Sequence, residues 1–158
     1  VKEGIKKGAE INRHIDKDLE VLITNLGLIF KHKGGKYLVA RVKSDLENLT
    51  ENIEARGEWF GIPQCCIKAF LEHGSKLSEK ISKEEIKALQ SGKHIPNEFF
   101  LGSYGYIPCS INCKDTLERG IKTKVALDRI DPRLWGRFKD VHIRRRLVEF
   151  GGEVCWWK

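Results

Sequence analysis

The chain has 158 residues, 41% of them hydrophobic and 32% charged, with a formal net charge of +7, five cysteines and no methionine. A globule of this length buries about 70% of the surface its unfolded chain exposes, so it holds a core without crosslinks and its cysteines are not needed as staples. No segment approaches the ~18 continuous apolar residues of a membrane span, and the N-terminal stretch is charged and amphipathic without a signal-peptide apolar block, which predicts a soluble cytoplasmic protein with no membrane partner.

Ile11, Ile15, Leu19, Leu22 and Leu26 recur at three- and four-residue steps and predict an amphipathic helix ending near Gly27. Leu28-Ile29-Phe30, a turn at Lys33-Gly34-Gly35-Lys36 and the run Tyr37 to Val42 predict a β-hairpin. Ser44 is placed to cap a helix to about Arg56, with Leu46, Leu49 and Ile53 on one side. A helix from Pro63 to a glycine C-cap at Gly74 would bury Cys66, Ile67, Phe70 and Leu71. Ser82 and Glu85 form a capping box for a short polar helix ending at Gly92.

Pro96, Gly102 and Gly105 interrupt the aromatic residues Phe99, Phe100, Tyr104 and Tyr106, which predicts a loop packed over the cysteines. A helix is then expected from Pro108, with Cys113, Leu117, Ile121 and Val125 as its apolar stripe and Gly120 costing about 1 kcal/mol relative to alanine. Asp131-Pro132 opens a final helix to about Arg144 with Leu134, Trp135, Phe138, Val141 and His142 inward. Leu147 to Phe150, Gly151-Gly152 and Val154 to Trp157 read as a second hairpin. The expected architecture is a mostly helical α+β single domain over residues 1–158 with N-terminal and C-terminal β-hairpins.

Four cysteines stand just after an Ile-Pro: Cys65 and Cys66 in Phe60-Gly61-Ile62-Pro63-Gln64-Cys65-Cys66, and Cys109 and Cys113 in Gly105-Tyr106-Ile107-Pro108-Cys109-Ser110-Ile111-Asn112-Cys113. Each Ile-Pro is suited to open a helix whose first turn carries the thiols, where the positive end of the helix dipole favours thiolate, the form that binds metals. Cys109 and Cys113, four apart, would share a helix face, whereas adjacent Cys65 and Cys66 point about 100° apart. That pair suits the separate irons of an iron–sulfur cluster better than a structural zinc, whose motifs space their cysteines two to four residues apart.

The two segments resemble the signature of the archaeal domain-of-unknown-function family 483, in which Gly-x-Pro-x-Cys-Cys precedes Pro-Cys-Ser-x-x-Cys. The resemblance implies that the four cysteines act together and implies no activity. Metal or iron–sulfur binding by Cys65, Cys66, Cys109 and Cys113 is one reading, with an iron–sulfur cluster or zinc as cofactor. A disulfide across the two segments, closing a loop of roughly 45 residues, and a core of buried thiols are the cofactor-free alternatives. A nucleophilic cysteine needs a neighbouring base that sequence does not reveal, so the catalytic residues and the question of enzymatic activity stay open. His73 and His94 are candidate extra ligands, and Cys155 reads as core.

Charge is concentrated. Residues 119–146 hold ten Lys/Arg and three Asp, a net +7, while the remainder balances at nineteen of each sign. Arg133, Arg137 and Arg144 fall on one face of the final helix, a surface suited to the phosphates of RNA or to free phosphate; in that alternative the protein is a nucleic-acid-binding module whose cysteines are only structural. The absence of Met and the scarcity of Gln match a thermophile composition.

Overall fold

A computed structural model describes residues 5–11, 17–47, 49 and 52–139. Within them run β1 (Gly8–Ile11), α1 (Lys17–Asn25), β2 (Ile29–Lys33), β3 (Lys36–Ala40), α2 (Lys43–Glu47), α3 (Ile53–Trp59), α4 (Gln64–His73), α5 (Lys76–Gln90), α6 (Asn97–Gly102), α7 (Lys114–Ile130) and α8 (Arg133–Phe138). The fold is α+β, as the sequence predicts. The expected C-terminal hairpin, Cys155, the inward Val141 and His142, and Arg144 lie outside the described residues. The chain forms two compact units, Val1–Lys68 and Ala69–Lys158.

The first unit is built on a three-stranded antiparallel sheet in the order β1-β3-β2. Its hairpin is the predicted one. Gly34 and Gly35 hold φ of 58° and 77°, the left-handed pair that matches the right-handed twist of the strands they join. The third strand was not expected: Gly8–Ile11 pairs with β3 instead of starting a helix at Ile11, because four residues with Ala9 and Ile11 alternating meet an open sheet edge. The predicted helix is confined to α1, which buries Ile23 against Val39 with Leu19, Leu28, Phe30 and Tyr37 around it.

The opposite face of the sheet packs Leu38 and Ala40 against Leu46 and Trp59. Gly8 permits this, since a Cβ there would stand 1.9 Å from the Trp59 ring. The ring in turn donates Nε1–H to the Asp45 carbonyl at 2.8 Å, and the Trp59 carbonyl accepts from the Lys7 amide at 3.0 Å. The single helix predicted from Ser44 to Arg56 is two helices, α2 and α3. Asn52 restarts the chain as an N-cap, accepting the Ala55 amide at 3.0 Å.

In the second unit α5 starts at Lys76, so Ser82 and Glu85 sit inside it and form no capping box. Leu77, Ile81, Glu85 and Ala88 are its buried face, and Gly92 follows its end at φ 73°. The predicted aromatic loop contains α6, which buries Phe99, Phe100 and Leu101. α7 is turned relative to the predicted stripe: Thr116, Gly120 and Ala126 are buried, while Ile121 and Val125 are exposed. Two glycines decide that rotation. α6 and α7 cross with Gly102 and Gly120 at the contact, where a Cβ on Gly120 would lie 1.7 Å from the Glu98 carbonyl oxygen. Gly120 is therefore a close-approach residue rather than a tolerated flaw in a stripe.

Candidate metal centre

The first cysteine segment is positioned by the end of α3. Gly61, at φ 67°, closes that helix, and a side chain there would meet the Ile5 carbonyl at 2.4 Å, so glycine is required twice over. The Ile62 amide returns to the Gly57 carbonyl at 2.9 Å. Pro63 then stands just before α4, and its carbonyl accepts the amides of Cys66 (2.9 Å) and Ile67 (3.1 Å). Ile67 lies over Gly57, where a Cβ would be 2.7 Å away, and Gln64 donates to Glu54 at 2.7 Å. Cys65 and Cys66 are thus the second and third residues of a helix held against α3. Phe70 and Leu71, expected inside, are exposed at 37% and 51%.

The second segment departs from its predicted form. No helix begins at Pro108; residues 108–113 form a buried proline and a turn, and α7 opens only at Lys114 with Cys113 as its N-cap. Ser110 organises the turn, its carbonyl accepting the Cys113 amide and its hydroxyl accepting the Asn112 amide, both at 3.1 Å. Two residues of distant sequence grip it. Glu84 of α5 accepts the Ile111 amide at 3.3 Å, and Lys93 donates to the Asn112 side chain at 2.8 Å. Ser110 was open to discovery as a serine placed to bond its own backbone; Glu84 and Lys93 carry no local signal.

Two of the aromatic residues expected over the site contact α7 and α8. Tyr106 donates to Thr116 at 3.1 Å and lies under the Arg119 guanidinium, which itself donates to the Gly102 carbonyl. Tyr104 is 56% exposed and meets Phe138 edge-on.

The four predicted thiols come together. One Sγ from each of Cys65, Cys66, Cys109 and Cys113 lies within 4.8 Å of the others, and Cys65 Sγ stands 3.8 Å from Cys66 Sγ. No disulfide joins them, and Cys66 and Cys113 are buried while Cys65 and Cys109 are half-buried. Four thiolates at about 2.3 Å from a tetrahedral ion stand about 3.8 Å apart, the separation of the adjacent pair. Adjacency in sequence therefore does not hold Cys65 and Cys66 from one ion, contrary to the expectation from helix geometry. The donor set, four soft thiols of which two are shielded from water and two open a helix, is one that could hold a metal ion.

Neither histidine belongs to the group. His73 ends α4 beside Glu72 at 3.9 Å, and His94 is exposed. On the basic segment, Arg133 holds the Asp131 carboxylate through Nε at 2.9 Å and a second nitrogen at 3.0 Å, which keeps the Asp131 carboxyl below its ordinary range. Arg137 is exposed on the six-residue α8.

A family model described as "Protein of unknown function (DUF483)" matches residues 8–135. An uncharacterized protein of Methanocaldococcus jannaschii is 32% identical over 84 residues, a stretch covering 47% of this chain and 42% of that relative, so the chain spans less than half of the relative's length. No solved structure matches the chain.

Proposed function

The chain belongs to the DUF483 family, whose description assigns no activity, and we propose from its four-thiol group that it binds one metal ion, zinc before others, through Cys65, Cys66, Cys109 and Cys113. The carrying observation is the spacing: sulfurs within 4.8 Å of one another, with the adjacent pair at 3.8 Å, suit a single tetrahedral ion. An iron–sulfur cluster distributes its cysteines over several irons and needs them farther apart. Four protein ligands leave no open position, so the ion supplies structure rather than hydrolysis; when bound it would hold the Pro63 and Pro108 segments in register. Each chain segment contributes to that task on its own: α4 presents Cys65 and Cys66 from its first turn, and the Ser110 turn presents Cys109 and Cys113.

Metal analysis of the untagged protein, purified anaerobically without chelator, tests this. One zinc per chain, lost in a Cys66→Ser/Cys113→Ser variant, is the expected result. Several irons with matching acid-labile sulfide would replace the single ion with a cluster, and protein free of metal that takes up neither zinc nor cobalt would end both readings.

A further inference from the structure

α7 hides one side and shows another. At about 100° per residue, its buried positions Thr116, Gly120 and Ala126 lie about 100–140° around the helix from Ile121. Ile121 and Val125 are 49% and 45% exposed, and Leu117 beside them is half-buried. Leu117 and Val125 each stand four residues from Ile121, so the three form an apolar stripe about 100° round from the α6 crossing at Gly120. Lys114 and Asp128 close its two ends. Each lies seven residues from Ile121 and within about 20° of it around the helix, a cation at one end and an anion at the other.

Single exposed apolar residues are ordinary, but this face is complementary to itself. An isologous interface requires that residue i of one copy meet residue j of the other while j meets i. Two copies of α7 laid antiparallel about a twofold axis at Ile121 set Ile121 on Ile121, Leu117 on Val125 and Lys114 on Asp128, the last two pairings each made twice. Parallel pairing would set Lys114 on Lys114 and Asp128 on Asp128, and would align the helix dipoles side by side. Asp128 holds Lys124 at 3.1 Å through one oxygen, and a carboxylate can accept a second cation on its other oxygen. We infer that the Leu117, Ile121 and Val125 face of α7 binds a second copy of this chain, antiparallel and with twofold symmetry. The stretch from Lys114 to Asp128 is about 21 Å long, so one helix pair falls below the roughly 1,200 Å² of a stable interface, and the dimer forms by mass action rather than being obligate. The assignment is independent of the metal centre.

Sedimentation of the full chain from about 5 to 500 μM, at about 50 mM salt and with reductant present so that no intermolecular disulfide contributes, tests this. The average mass of wild-type protein rises with concentration from that of the 18.1 kDa chain toward twice that value. I121E places two carboxylates against each other on the axis and abolishes the rise while retaining the wild-type circular dichroism. K114D and D128K each weaken dimerisation about 10-fold by setting like charges together, and K114D/D128K, which exchanges the charges, returns it to within about threefold of wild type. The comparison variant V21E adds the same charge at a 57% exposed apolar position of α1 and leaves dimerisation nearly unchanged. A wild-type monomer at the highest concentration would overturn the interface. A double charge variant no better than the single ones would overturn the antiparallel pairing, and an equal loss in V21E would reduce the association to general surface stickiness.

Discussion

Replacing Gly120 by alanine separates two arguments that predict opposite signs. Helix propensity alone favours the change by about 1 kcal/mol, because Gly120 lies inside α7. The packing opposes it. The new Cβ would stand 1.7 Å from the Glu98 carbonyl oxygen and 3.0 Å from the Gly102 amide nitrogen, both backbone atoms that no rotamer change can move aside. Ordinary contact begins at 3.4 Å, so the helices would have to part by about 1.7 Å at this point. Phe99, Phe100 and Thr116 are buried near the crossing and would lose contact with it. Forced overpacking costs about 1–3 kcal/mol, and an immovable backbone places this case at the upper end. The net expectation is a loss of about 2 kcal/mol, or a fall in melting temperature of about 4–8 °C. Thermal unfolding followed at 222 nm measures it, with Gly136→Ala in α8 as the reference, since a Cβ there meets nothing within 4 Å. That reference should be unchanged or up to 1 kcal/mol more stable. A Gly120→Ala protein at least as stable as wild type would refute the backbone-contact reasoning.

Two further outcomes follow from the site and its surroundings. Glu84→Ala removes the acceptor of the Ile111 amide and should weaken zinc binding about 5- to 10-fold in chelator competition, the worth of one net hydrogen bond, while Glu84→Gln keeps an oxygen there and stays near wild type; equal affinities for all three proteins would remove Glu84 from the support of the turn. For Asp131, the Arg133 guanidinium lowers the folded-state value below 3.8, so the pair's contribution is complete above that pH and disappears as pH falls through the lower folded value. Carboxyl-carbon NMR should place the Asp131 midpoint below that of free aspartate, and Arg133→Ala, which removes the guanidinium but keeps the residue-133 amide that also donates to Asp131, should raise it part of the way back; a midpoint that Arg133→Ala leaves unmoved would show that the pair does not persist in solution.

Several features were legible because they depend on a few neighbouring residues. Gly34-Gly35 between two apolar runs dictates a tight hairpin, and Gly74 and Gly92 mark helix ends by their left-handed backbone, at φ 56° and 73°. Other features misled for a physical reason. The stripe Leu117, Ile121 and Val125 is a good helical pattern, yet the side of α7 that enters the core is the one where glycine lets α6 approach, and a stripe count assigns no value to a missing side chain. Ile11 fits the helical period of Leu19 and Leu22, but the strand hydrogen bonds offered by β3 lie 26 residues ahead of it and are invisible to a local window.

The same division runs through the four-thiol group. The sequence by itself determined which four thiols belong together, through two Ile-Pro-Cys segments, and determined that α4 would begin at the first of them, since proline and the preceding glycine act on their immediate neighbours. Only the tertiary structure decided that Cys65 and Cys66 point to a common place 3.8 Å apart, that Cys109 reaches Cys113 through a serine turn rather than along a helix, and that Glu84 and Lys93 hold that turn. Those outcomes depend on where residues tens of positions apart are packed, and the free energy that places them there belongs to the folded chain as a whole rather than to any segment of it.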